Sequence, residues 1–538
     1  MGGGIRRASP ACSIASTSRA LRGGGRGTST LSLESRVGRT GRLRHPHEHR
    51  ARIPIQSVSM AKKPPPNDVF FSSAVELNQR LRAKEFSAVE LTKAFCDRLE
   101  TSGPTYNALA HSLRKRALAK AKQTDRDLKV DRQRGPLHGV PFAVKDLLDV
   151  AGAPCTWGAK PMAAQIPKED ARVVKKLDAA GAVITGKLSM VELAGGGGYR
   201  YPAASLQGPG LNPWDKTRWS GGSSSGPGSA VAAGLVAFAI GSETWGSILT
   251  PAAYCGVTGL RPTYGYVSRN GAMALSWTMD KIGPMAHTAE DCGLILQTIS
   301  GGDAEDPGSA GKSFYLAPQF QKPISEMRIG FAPSDPDAVS DEGVRKAIQG
   351  GFDALRSLGV KMVETELPAF PYGTVAGTII GAEGASVFEP LIANGQIDQL
   401  ADQRQIIGLK AALEISAKDY LKAMRIRSLM QQELGNLFSD IDILVTASRF
   451  GVATPIDEPL DRTASNPAKL TKRGLRDLGA AGNLAGLPAL SLPCGFANGL
   501  PVAIQLVSRP FTENTILAVG MEFQKRTDWH RRRPQGLQ

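Results

Sequence analysis

Two serines set beside glycines stand 24 residues apart in this chain. Ser223 lies in the loop Ser220-Gly221-Gly222-Ser223-Ser224-Ser225-Gly226, and Ser247 closes the turn Gly241-Ser242-Glu243-Thr244-Trp245-Gly246-Ser247. Glycine lets a backbone turn its amides towards a ligand without a steric cost. Amides turned that way stabilise an oxyanion, and a serine at the end of the turn is placed to attack a carbonyl. A Gly/Ser run on its own is usually a linker. Here an apolar small-residue run and a second Gly/Ser turn follow it at once.

A lysine lies upstream, in Gly139-Val140-Pro141-Phe142-Ala143-Val144-Lys145-Asp146. Read blandly, Lys145 is a strand-end lysine whose head reaches water. Its apolar neighbours Val144 and Leu147 also suit it to partial desolvation, which favours the neutral amine. To serve as a base near neutrality it must lose its proton well below about 10.4, at a cost on the order of 4 kcal/mol.

These stretches together resemble the amidase signature family, and the likeness runs over residues 75–534. The resemblance implies an α/β fold: one amidase-signature domain, with a large mixed β-sheet core covered by helices on both faces. It also implies an amidase that hydrolyses a carboxamide C–N bond through an acyl-enzyme and releases ammonia or an amine. In that mechanism Ser247 is the nucleophile. Ser223, held by an unusual cis peptide, relays protons between Ser247 and the base Lys145. The N–H groups of Thr244, Trp245, Gly246 and Ser247 form the oxyanion hole. No metal or organic cofactor is implied. Met190, Ser224, Trp277 and Thr446 are taken as substrate-lining positions.

The chain departs from the family run Asp-Thr-Gly-Gly-Ser-Ile-Arg, reading Glu243-Thr244-Trp245-Gly246-Ser247-Ile248-Leu249. Trp245 replaces a glycine, which restricts φ and narrows the acyl pocket. Leu249 removes the arginine expected to pair with the preceding acid, so Glu243 needs another partner.

The substrate has two readings. One is a small carboxamide or an aryl or alkyl amide. The other is glutamine, because residues around Pro251–Gly265 are similar to the glutaminase component of the glutamyl-tRNA(Gln) amidotransferase, which releases ammonia within a complex. Relatives of that component carry a Tyr-Tyr-Asp helix, whereas this chain reads Ser416-Ala417-Lys418-Asp419-Tyr420-Leu421, which favours the free-standing amidase. A third reading is a catalytically dead binding protein of the same family. The presence of Lys145, Ser223 and Ser247 argues against it.

The 538 residues carry a net charge of +16. Residues 1–63 hold thirteen Lys/Arg against Glu34 and Glu48, so they supply +11, and the remainder carries only +5. The body is therefore not basic enough to suggest direct nucleic-acid contact. Residues 1–63 are Arg-, Ser- and Gly-rich and form a basic extension to the amidase domain of residues 64–538. The extension resembles a transit peptide, placing the protein in a mitochondrial or plastid matrix; alternatively Met60 is the true start and the protein is cytoplasmic. Six scattered cysteines without metal spacing read as reduced and mostly buried. No run reaches 18 apolar residues, so no spanning helix is expected. An oligomer is possible.

The elements that must position the site follow from periodicity. Capping boxes at Ser73-x-x-Glu76 and Ser87-x-x-Glu90 open two helices. Residues 112–127 read as a helix, 137–148 as a short strand, 170–181 as a helix and 182–186 as a strand. Residues 195–198 are a glycine loop that is either an ordinary turn or part of the substrate entry. Helices are expected over 288–300, 342–358, 379–393 and 417–438. Strands are expected over 327–331 and 441–446, near Leu490, and over 502–506.

Overall fold

Two strands of this chain end in Lys145 and Glu243, and the apolar side chains of the strands build its core. In the computed structural model, which describes residues 65–337, 339–460 and 474–537, the strands in chain order are β1 (Leu109–Ser112), β2 (Pro141–Lys145), β3 (Val183–Leu188), β4 (Leu211–Asn212), β5 (Asp215–Trp219), β6 (Phe238–Glu243), β7 (Thr258–Arg261), β8 (Lys281–Ala286), β9 (Arg328–Phe331), β10 (Lys361–Glu364), β11 (Ile443–Ala447), β12 (Ala489–Ala497) and β13 (Leu500–Ser508). Eleven of them form one sheet in the order β1-β3-β2-β6-β8-β7-β12-β13-β11-β9-β10, and β4 and β5 pair separately. The pairing is mixed. β2 runs parallel to β3 and β6, and β9 parallel to β10 and β11, while the centre is antiparallel.

Every residue of β2, β3, β8, β11 and β13 is buried. A strand buried on both faces needs helices above and below it, and it reads as continuous apolar sequence. The outer strand β10 is mostly exposed and ends in charges at Lys361 and Glu364, which discourages edge-to-edge pairing. This is the α/β fold with a helix-covered mixed sheet that the sequence implied.

Both expected capping boxes form, with Ser73 and Ser87 accepting from the N–H groups of Glu76 and Glu90. The helix expected over 379–393 begins earlier, at Tyr372, and runs to Ala393. Gly373, Gly377 and Gly381 hid its first turns, because glycine weakens a helical pattern even where packing holds the helix. By length and composition this segment is apolar enough to cross a membrane, a test that the core helix of a protein also passes. In the structure its Val375, Ala376 and Ile379 are buried in a cluster with Ala423 and Met430 of the helix Ala417–Leu437. The helix Gln403–Ala412 and strand β10 lack a clear periodic signal and were not expected. The basic extension, residues 1–63, lies outside the described residues.

Candidate active site

The register of β2 on β6 brings Lys145 and the turn that carries Ser247 together. Phe142 pairs with Phe238 across these strands, and their rings stack with centroids 5.1 Å apart. Three residues on, the same register sets Lys145 beside the end of β6. Its Nζ lies 2.7 Å from Ser223 Oγ and 3.0 Å from Ser242 Oγ. Lys145 is fully buried. Burial lowers its pKa to about 7, with the Asp280 and Glu243 charges opposing the fall. Lys187 on the neighbouring strand is equally buried but ion-paired, 2.8 Å from Asp146. Among the described residues Lys145 has hydroxyl partners only.

The Gly/Ser loop is fixed through its backbone. The Val191 N–H donates to the Ser223 carbonyl at 3.1 Å, Gly226 N–H to Ser189 O at 3.0 Å, and Ser220 N–H to Gly210 O at 2.9 Å. The Gly222–Ser223 peptide is cis. Gly221 has φ +87°, and a Cβ there would come within 2.8 Å of Pro251 Cα, so only glycine fits. The loop opens a helix, Ser225–Ala232.

Glu243 governs the second turn. Its Oε2 accepts from Ile248 N–H at 2.9 Å and Leu249 N–H at 3.0 Å, tying down the start of the helix Leu249–Cys255. Its Oε1 accepts from Arg261 Nη1 at 2.8 Å and Asn483 Nδ2 at 2.9 Å. Burial alone would raise this carboxyl; Arg261, Lys281 and Asn483 outweigh it and hold its pKa at about 2. Arg261 on β7 therefore supplies the partner that Leu249 does not, while Leu249 packs in an apolar cluster. Lys281, also buried, donates to the Thr244 carbonyl at 3.4 Å, and Thr244 Oγ1 donates to Asp280 at 2.6 Å.

Trp245 replaces the family glycine without backbone strain. The left-handed residue of the turn is Gly246, at φ +83°, and Trp245 is not among the residues with positive φ. Among the described residues the N–H groups of Trp245, Gly246 and Ser247 donate to no protein acceptor. The Ser247 hydroxyl is likewise without a partner there, although the residue is only 7% exposed. Its carbonyl accepts from Ser224 N–H at 3.2 Å.

Ser247, Thr244, Trp245 and Gly222 border a cleft of about 540 Å³. Gly195, Gly197 and Gly198 line it too, so the glycine loop is part of the cleft wall. The four residues taken as substrate-lining are placed otherwise. Met190 is buried in the core against Gly158. Thr446 is buried on β11, donating to Asp335 at 2.6 Å. Ser224 is buried, its hydroxyl exchanging hydrogen bonds with the backbone of Ser242. Trp277 is 53% exposed and borders an adjoining cavity of about 220 Å³ with Asp280 and Lys281. None of the four lines the cleft that holds Ser247, because each side chain points into the core or towards that neighbouring cavity.

Sequence reasoning missed Ser242, Arg261, Asn483 and Lys281. Ser242 was legible in principle, since it sits inside the quoted turn. Arg261 and Asn483 lie 18 and 240 residues from Glu243, and no local pattern links them. The buried thiol of Cys255 donates to the Ser220 carbonyl, in keeping with a packing role. Among the described residues no three His, Cys, Asp or Glu side chains gather as a metal site.

Comparison with known proteins gives the family. Residues 90–517 match the family model Amidase. The chain is 36% identical to the A subunit of glutamyl-tRNA(Gln) amidotransferase from Carboxydothermus hydrogenoformans, over 87% of this chain and 99% of that protein. It is also 36% identical to the corresponding protein of Moorella thermoacetica, again over 87% and 99%. Among solved structures it resembles native peptide amidase from Stenotrophomonas maltophilia, with a TM-score of 0.75 and 29% identity over 87% of this chain and 99% of that one. A bacterial aryl acylamidase at 20% identity shares the fold, with a TM-score of 0.74 over 86% of this chain and 98% of that one. With the matched model spanning most of its length, the chain belongs to the amidase signature family of enzymes that hydrolyse amide C–N bonds.

Proposed function

We propose that Ser247 attacks the carbonyl carbon of a carboxamide, with Ser223 and Lys145 moving the proton. The observation that carries this reading is the fully buried Lys145 amine, at a pKa of about 7 and 2.7 Å from Ser223 Oγ. A neutral amine there takes the Ser223 proton as Ser223 takes that of Ser247, and the Ser247 Oγ–carbon bond forms. The oxyanion is met by the unengaged N–H groups of Trp245, Gly246 and Ser247, with Thr244 alongside. Ser223 gives its proton to the leaving nitrogen as the C–N bond breaks, and Lys145 returns the proton it took to Ser223. Water then attacks the acyl-enzyme, giving its OH to the acyl group and a proton back to Ser247.

The relatives support a finer identity. The 36% identity to the glutamyl-tRNA(Gln) amidotransferase component, over nearly its whole length, favours a glutamine-hydrolysing protein that works with partner subunits. That reading is better supported by identity than the free-standing amidase. One observation favours the latter: among the described residues, no charged side chain lines the cleft beside Ser247. Glutamine brings an ammonium and a carboxylate, which are costly to bury without charged partners. We place the protein in an organelle matrix if residues 1–59 are a transit peptide and in the cytoplasm otherwise, a point that the N-terminal sequence of the native protein decides.

The test follows ammonia or amine release from an amide panel including glutamine, with Ser247→Ala as control. Release from simple amides by the chain alone, lost in the variant, supports the free-standing enzyme. Release from glutamine only, and only with partner subunits, supports the amidotransferase. Equal activity of variant and wild type refutes Ser247 as nucleophile.

A further inference from the structure

The cleft beside Ser247 has an unusual wall. Gly373, Gly377 and Gly381 fall four residues apart, on one face of the helix Tyr372–Ala393. A Cβ on Gly373 would lie 3.8 Å from Trp245 Cη2, so the indole tip stands directly over this bare backbone. At Gly377 a Cβ would meet nothing within 4 Å, which leaves open space in front of the helix. Gly408, Ala411 and Ala412 of the helix Gln403–Ala412 form the adjoining side of the same cleft.

Trp245 is 44% exposed although it belongs to the turn that carries Ser247. A large indole left open to a cleft walled by glycines, alanines, Leu275, Ile380 and Ile415, with hydroxyls only from Tyr199, Thr244 and Ser247 and no charge among the described lining residues, makes a mostly apolar slot. An independent observation points to a ligand here. The Ser247 hydroxyl, on a residue only 7% exposed and without a partner among the described residues, opens into the same space.

We propose that this slot binds the acyl group of the substrate, that it selects flat uncharged acyl groups such as an aryl carboxamide, and that Trp245 and Gly377 set that choice. The inference rests on the acyl-enzyme reading above for turnover, but not for binding. An aromatic ring stacks on the indole face, and its other face lies along the glycine backbone, where a large side chain at 377 would collide with it. Acetamide leaves the slot unfilled, and the charges of glutamine find no partner in it.

The experiment uses the full chain. Binding of benzamide, acetamide and glutamine to Ser247→Ala is measured by calorimetry, and turnover of the same amides by the wild type is followed alongside. The expected result is benzamide binding at least tenfold tighter than either competitor. Adding Gly377→Leu or Trp245→Gly to the Ser247→Ala background weakens benzamide tenfold or more. Gly377→Ala, which carries a single methyl, is the folding control: it melts no lower than its parent and weakens benzamide less than Gly377→Leu does. Glutamine or acetamide binding as tightly as benzamide overturns the proposal, as does benzamide binding unchanged by both substitutions, or no binding at all. Benzamide bound as expected but hydrolysed equally by the wild type and by Ser247→Ala leaves the slot standing and refutes the acyl-enzyme reading instead.

Discussion

Replacing Lys145 by methionine, a side chain of similar length, separates the stability of this protein from its activity. An amine titrating at about 7 in the folded chain, rather than at 10.5, lowers folding stability by on the order of 5 kcal/mol at pH 7 and below. The two hydrogen bonds from Nζ to Ser223 and Ser242 return about 1 kcal/mol each. Lys145→Met is therefore expected to be more stable than the wild type by about 3 kcal/mol at pH 7, with no amide hydrolysis.

The pH dependence gives the sharper test. Between pH 7 and 10.5 the unfolded lysine holds a proton that the folded one has released, so wild-type stability rises with pH over that window. The variant lacks this slope. Its advantage shrinks to about zero near pH 9, where the desolvation cost has fallen to about 2 kcal/mol and the lost hydrogen bonds balance it. Urea midpoints at pH 7, 8 and 9, compared at a common m-value, read the difference directly. A variant less stable than the wild type by the same amount at all three pH values would refute the argument, and so would one that still hydrolyses amides.

Other consequences follow from the same geometry. The kcat/KM for amide hydrolysis rises with pH through an inflection near 7 as Lys145 loses its proton; a flat profile from pH 5.5 to 9 excludes it as base. Arg261→Met strands the buried Glu243 carboxylate and costs about 3–5 kcal/mol of stability by urea denaturation. Adding Glu243→Gln recovers part of that loss, because the stranded charge is gone; no recovery means that Arg261 acts through packing. Ser242→Ala removes one acceptor of the Lys145 amine, lowering kcat/KM by about fivefold, worth about 1 kcal/mol. It also moves the inflection below 7, since the ammonium form loses a partner; an inflection that stays put assigns Ser242 a merely structural role.

Much of the candidate site was legible in the residues. Ser223, Ser247 and Lys145 stand in local runs whose glycines and apolar flanks carry their own chemical meaning, and those runs resemble a long and specific family pattern. The strands were legible for a similar reason: β2, β3 and β11 are short apolar stretches bounded by turn residues. The helix Tyr372–Ala393 was only partly so, because its glycines serve the cleft at the expense of helical pattern.

Which side chains are available for the reaction, and roughly which strands and turns hold them, could be read along the chain, since both are matters of short-range pattern. Tertiary structure alone decided their company. Lys145 became a candidate base because β2 is buried between β3 and β6 and its head meets hydroxyls instead of a carboxylate. Glu243 kept its charge because Arg261 and Asn483 arrive from strand β7 and a distant helix. Trp245 faces open space because a helix more than a hundred residues later presents glycine to it. Desolvation and charge pairing act through space, so distance along the chain says nothing about them.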